Sequence, residues 1–172
     1  MNSEKDKSVG INSMKIHLAE PADFGEMYTL HLAAFVDEAR LYGTPDVPPL
    51  NESILEFKER LLVSDSWIAT DKKRIVGAVS LRAYRGVPDV ERIMVAPDRR
   101  GESVGSALLT AVEQAAIEAG HTSIQLVVGD LAVNNQSIYE YLGWHRTKTY
   151  HLKGNEQILL HDMTKELAAP KC

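Results

Sequence analysis

Val95-Ala96-Pro97-Asp98-Arg99-Arg100-Gly101-Glu102-Ser103-Val104-Gly105-Ser106-Ala107-Leu108-Leu109 is the stretch on which the reading of this 172-residue chain turns. An apolar run ends at Val95, residues 97–101 read as a loop, and apolar residues return at helical spacing over 102–119. Val104, Leu108, Ala111, Val112, Ala115 and Ala119 share one stripe, and Gly120 is the stop signal. A strand, a tight loop and a helix in that order aim several backbone N–H groups and the positive end of the helix dipole at one point. A pyrophosphate suits such a place. Gly101, Ser103, Gly105 and Ser106 leave room for close approach, and Arg100 offers a planar fork of charged donors. The alternative is an ordinary strand–loop–helix turn with a solvated Arg-Arg pair, and glycine spacing alone does not decide between them. No Lys-Ser/Thr follows the loop and no G-x-G-x-x-G is present, so two common phosphate motifs are excluded.

Upstream, residues 15–19 alternate as a short strand, and Pro21 and Asp23 open a helix bearing Phe24, Met27, Leu30, His31, Ala34 and Phe35. That helix is expected to end near Tyr42-Gly43. Three prolines within residues 43–49 argue against helix there, and Asn51 is the expected N-cap of a second helix burying Ile54, Leu55, Lys58, Leu61 and Leu62. Strands are predicted over 67–70, 74–84 and 89–95, the first two joined by Asp71-Lys72-Lys73. Downstream come a strand over 123–128, a helix over 134–142 stopped by Gly143, and strands over 144–152 and 157–164. The order β-α-α-β-β-β-α-β-α-β-β predicts an α/β (α+β) fold, a mixed sheet of six to seven strands with about four helices on both faces.

The length suits one domain, with residues 1–13 read as a flexible leader, 14–167 as the domain and 168–172 as a tail. Nineteen Lys and Arg against twenty-four Asp and Glu give a net charge of −5, which counts against a nucleic-acid partner. The same charge is weakly permissive for a cationic acceptor, although solubility alone accounts for it. No apolar run approaches the ~20 residues that span a bilayer, so no membrane partner is expected. Cys172 has no intrachain partner, which excludes a disulfide framework and fits a reducing cytoplasm. The six histidines show no metal-ligand spacing, and no metal is expected. Self-association into a homodimer is left open.

The segment from Val95 resembles motif A of the GNAT acyltransferase superfamily, whose core is written Q/R-x-x-G-x-G/A and here reads Arg100-Gly101-Glu102-Ser103-Val104-Gly105. Ser103 departs from the first core glycine. The cradle survives this exchange if position 103 needs no positive φ, and the hydroxyl can itself donate to a phosphate oxygen. Tyr139-Glu140-Tyr141-Leu142-Gly143-Trp144 is similar to the family's Y-x-x-x-G-F, and Asn134 with Ser137 to the preceding N-x-x-A/S. Element order agrees from Lys15 through Thr164.

The resemblance implies a GNAT fold, acetyl-CoA as cosubstrate, and direct attack by the acceptor amine, with no nucleophilic Ser or Cys. It implies that backbone groups of Ile93, Met94 and Val95 bind the pantetheine arm and the oxyanion. The pyrophosphate then falls to Arg100, Gly101, Glu102, Ser103, Val104, Gly105 and Ser106, with Asn134 and Ser137 also in the cofactor set. Tyr139, four residues before Gly143, takes the position of the acid that protonates the departing thiolate, while counting from Ser137 selects Tyr141 instead. Asp89 and Glu91, two apart on one strand face, are candidates for the base. Equally, they form a solvated pair bridged to Arg92 or Arg85. Asp37, Glu38, Tyr42 and Asp46 lie in the family's variable acceptor region. Their acids can draw a small-molecule or peptide amine, or form a solvated helix end, which is the preferred reading.

Two function classes therefore compete: an N-acetyltransferase acting on a primary amine, and a GNAT-like module that holds acyl-CoA without turnover. An interaction domain without CoA would require the 100–105 segment to be accidental.

Overall fold

Seven strands form one mixed sheet in the order β1-β2-β3-β4-β5-β7-β6: β1 Lys15–Leu18, β2 Asp65–Asp71, β3 Arg74–Tyr84, β4 Val87–Val95, β5 Ser123–Gly129, β6 His145–Leu152 and β7 Asn155–Glu166. The structure is a computed structural model that describes residues 13–84 and 86–168. Most of the leader, Arg85 and the end of the tail with Cys172 lie outside the described residues. Five α-helices accompany the sheet: α1 Phe24–Tyr42, α2 Pro48–Asn51, α3 Ile54–Leu62, α4 Val104–Glu118 and α5 Val133–Tyr141. The expected element order and the mixed α/β architecture hold, with α2 added as a single turn.

That turn corrects the reading of the proline segment. Pro48 and Pro49 sit in the first turn of α2, where a missing N–H is no loss and a fixed φ suits the helix. Asn51 closes α2 rather than capping α3. The cap of α3 is Ser53, whose hydroxyl accepts from the Glu56 N–H while the Glu56 carboxylate takes the Ser53 N–H, a capping box. On α4 the buried stripe is Val104, Leu108, Leu109, Val112 and Ala116, so Leu109 and Ala116 replace the outer alanines of the expected stripe.

Two apolar layers pack on opposite faces of the sheet. On one face α4 and α5 bury Leu108, Val112, Ile124, Leu126, Trp144 and Met163. On the other, α1 and α3 bury Met27, Leu30, Phe57, Leu61, Ile68 and Met94. Glycine at position 77 lets α4 lie directly on β3, since a Cβ there would stand 2.6 Å from Val104 Cγ1.

Two irregularities position the site. β4 and β5 are parallel neighbours, yet they pair only at Asp89↔Gln125 and Val90↔Leu126. Beyond those residues the strands part. In the same stretch β4 bulges: Ser80 faces Glu91 and Ala78 faces Met94, so Arg92 and Ile93 together oppose Val79. Arg92 takes φ 52 at the bulge.

Candidate active site

The loop after β4 becomes a single helical turn, Pro97–Arg99, before α4 starts. Ala107 N–H donates to Ser103 O at 3.0 Å, so the amides of Val104, Gly105 and Ser106 precede the first intrahelical bond and are free for a ligand. Gly101 takes φ 80. A Cβ on Gly105 would meet only Val95 Cγ2 at 3.6 Å, an ordinary contact. The fold therefore does not require glycine at 105, whereas close approach by a bulky anion would.

Ser103 turns the condition placed on it. It sits at φ 62, ψ 16, in the left-handed region, so the position does call for positive φ and serine is strained there. Its hydroxyl makes no capping bond with the helix. Arg100 also differs from expectation. Its guanidinium pairs with Asp37 and donates to Ala34 O at 2.9 Å, tying the loop before α4 to α1. The hydrogen bond from Arg100 holds the Asp37 carboxyl below the usual range. Arg99 is held by Glu102 and Asp71 at 2.6 and 2.9 Å.

Ile93, Met94 and Val95 line the open side of β4. Met94 is buried toward α1, while Ile93 and Val95 pack with the α4 layer. The bulge sends Glu91 and Arg92 toward the same α1–α3 face, into a cluster of charges with Glu52, Arg60 and His31. Arg60 Nε donates to Glu52 at 2.7 Å, and its Nη1 lies 3.9 Å from Glu91. Arg82 approaches Glu91 at 4.0 Å, and Arg92 approaches Glu52 at 3.9 Å. Burial raises the Glu52 carboxyl, but Arg60, Arg92 and His31 outweigh it and the net shift is downward. Glu91 is thus a partly exposed carboxylate set between two guanidiniums.

Asp89 stands at the first of the two paired positions, where the Gln125 side chain donates to it. Burial raises its carboxyl, Asp162 adds to the rise, and the Gln125 bond and Arg82 oppose it. Asp162 in turn accepts from the Tyr150 hydroxyl at 2.9 Å. The two base candidates share a strand face as expected and differ sharply in environment.

Tyr139 and Tyr141 are separated as clearly. Tyr141 is 90% exposed, whereas Tyr139 is partly buried against the α4–α5 core, its ring 6.3 Å from that of Trp144. Burial, with the charge of Glu38 second, pushes the Tyr139 phenol up to about 12. Gly143 takes φ 90 after α5, which explains glycine in this motif. Asn134 and Ser137 are exposed on α5. Gln136, which carries no family signal, fixes the turn between β5 and α5 by donating to Gly129 O and Asp130 O at 2.8 Å each.

Glu38 departs most from its sequence reading. It is half-buried rather than a solvated helix end, and burial raises its carboxyl with Arg92 opposing. Helical spacing alone could have indicated this, because Glu38 lies four residues after Ala34 and four before Tyr42. Among the described residues no group of three His, Cys, Asp or Glu is arranged to hold a metal, and no helix is long and apolar enough to cross a membrane.

Comparison with known proteins gives one consistent picture. The model of the acetyltransferase (GNAT) domain family matches residues 50–167. N-acetyltransferase family 8 member 2 of Rattus norvegicus is 28% identical over 90 residues, 49% of this chain and 40% of that protein. The mouse N-acetyltransferase 8 matches to the same extent, so the alignment spans well under half the length of these curated relatives. A ribosomal-protein alanine N-acetyltransferase from Escherichia coli superposes with a TM-score of 0.75 at 16% identity, covering 92% of this chain and 96% of that one. A GNAT acetyltransferase from Elizabethkingia anophelis, solved with acetyl-CoA bound, superposes with a TM-score of 0.67 at 17% identity, covering 91% and 100%. At these identities the structural likeness concerns the fold.

Proposed function

We propose, on the premise that the chain belongs to the acetyltransferase (GNAT) domain family, that it transfers an acetyl group from acetyl-CoA to a primary amine by direct attack. The observation that carries this reading is the parting of β4 and β5 after two paired residues, beside a helix N-terminus with free amides. Parallel strands that separate expose main-chain donors and acceptors able to bind an extended amide-bearing chain as a third strand. The residues present fit acetyl-CoA. The amides of 101–106 face a pyrophosphate, Gly105 leaves space that a Cβ would take, and the uncommitted Ser103 hydroxyl adds a donor.

In this reading a main-chain N–H of Ile93, Met94 or Val95 stabilises the oxyanion, a contribution on the order of 3 kcal/mol. Tyr139 holds its proton throughout the neutral range, its phenol being pushed up to about 12, and delivers it as the thiolate leaves. The acceptor, a small-molecule or peptide amine, enters from the α1–α3 side. The net charge of −5 favours a cation over nucleic acid, and the single cysteine supports a reducing, cytoplasmic setting.

Thiol release from acetyl-CoA, measured with a panel of alkyl, poly- and peptidyl amines, tests the reading. Tyr139→Phe keeps the ring and is expected to lower kcat by ~10²-fold, while Tyr141→Phe stays near wild type. Acetyl-CoA that stabilises the protein without amine-dependent thiol release would instead mark a binding module.

A further inference from the structure

The C-terminal half of α1 lies across the open ends of β4 and β5. Ala34 O accepts from Arg100, which follows β4, and the Tyr42 hydroxyl donates at 2.8 Å to Asp130, which follows β5. Glu38 is one helical turn from each anchor, so its side chain shares their face and is directed at the sheet where the strands part. Among the described residues no hydrogen bond or ion pair reaches its carboxylate. The charge that opposes its rise is Arg92, at the bulge of β4. Its own charge acts on Tyr139, which belongs to α5 on the other side of the sheet. A carboxylate on the stretch of α1 between Ala34 and Tyr42 stands over the opening between the strands.

We propose that Glu38 accepts the proton of the acceptor's ammonium, the role expected from sequence for Asp89 or Glu91. The proposal rests on the transferase reading above. Glu91 lies 3.9 Å from Arg60 and 4.0 Å from Arg82, between two positive charges, and Asp89 lies at the closed end of the gap with Gln125 as donor. Glu38 alone of the three combines a free carboxylate with a place at the opening. Burial raises its basicity, which suits proton transfer.

The step balances. The ammonium gives one proton to Glu38, and the freed lone pair forms the C–N bond as the carbonyl π pair moves to oxygen. Collapse re-forms the carbonyl and breaks the C–S bond, with the sulfur receiving the Tyr139 proton. The second nitrogen proton, lost as the amide forms, returns to Tyr139, and Glu38 releases its proton to water.

Glu38→Gln keeps the shape of the side chain and removes its basicity. Thiol release is followed with spermidine, a lysine-bearing peptide and ethylamine, and with trifluoroethylamine, whose nitrogen is already largely unprotonated at neutral pH. The melting shift induced by acetyl-CoA reports on the fold and the cofactor site. The expected result is a loss of ~10²-fold or more in kcat for the ammonium acceptors, with near-wild-type turnover of trifluoroethylamine and an unchanged melting shift. Rates within about threefold of wild type for every amine, or equal losses for both kinds, overturn the base role and leave the transferase reading standing. If the wild type binds acetyl-CoA and releases no thiol with any amine, the transferase reading fails and the base role fails with it.

Discussion

Ser103 holds a left-handed conformation that costs a side-chain-bearing residue roughly 1–2 kcal/mol. Glycine removes that strain but adds roughly 0.5–1 kcal/mol of unfolded-chain entropy. Ser103→Gly is therefore expected to stabilise the protein by up to about 1.5 kcal/mol in urea unfolding, the net of these terms. Because the amide remains, the KM for acetyl-CoA should rise only by the loss of one hydroxyl donor. A variant less stable than wild type would mean that the hydroxyl has a structural role not apparent in its contacts. Spacing in the motif singled out this position, and only the backbone angles showed its positive φ. Tyr139 and Tyr141 follow the same logic. Two registers compete in the sequence, and the structure gives their tyrosines different surroundings, one ring partly buried and the other exposed.

At the scale of elements, the C-terminal half of α1 is held over the gap at Ala34 and at Tyr42. The Tyr42 hydroxyl lies so close to Gly129 that a Cβ there would collide with it. Gly129→Ala is expected to expel the Tyr42 ring from Asp130 and loosen the C-terminal end of α1. Tyr42→Phe removes only the hydrogen bond, a loss of about 1 kcal/mol. In urea unfolding Gly129→Ala should therefore be the more damaging of the two, and it should also lower kcat by displacing Glu38. Equal stability of the two variants would show that the helix adjusts without leaving the strand ends.

Over the whole molecule, His31 makes the fold sensitive to mild acid. Burial lowers it from 6.5 to about 4, opposed by its bond to Pro49 O. The folded protein keeps this ring neutral down to about pH 4, while an unfolded chain takes up the proton near 6.5. Its contribution to stability is thus complete above 6.5 and lost as pH falls toward 4. The melting temperature of wild type should drop more steeply across that window than that of His31→Gln. Parallel curves would place the acid sensitivity elsewhere in the charged cluster.

Element order, the strand–loop–helix of motif A and the tyrosine register options were legible because they depend on local periodicity, turn chemistry and short spacings. The loop before α4 needs only neighbours in sequence. The single turn in the proline segment was not legible, since helix propensity misses a proline pair placed where no N–H is required. The charge environment of the site was also beyond the sequence. Glu91 and Asp89 are alike on the strand, and only the packing of α3 brings Arg60 to one and leaves the other beside Gln125. Glu38 reads as one more acid on an amphipathic helix until α1 is laid across the strand ends. Which carboxylate is solvated, paired or free depends on side chains tens of residues apart, and that proximity arises only when the helices close over the sheet.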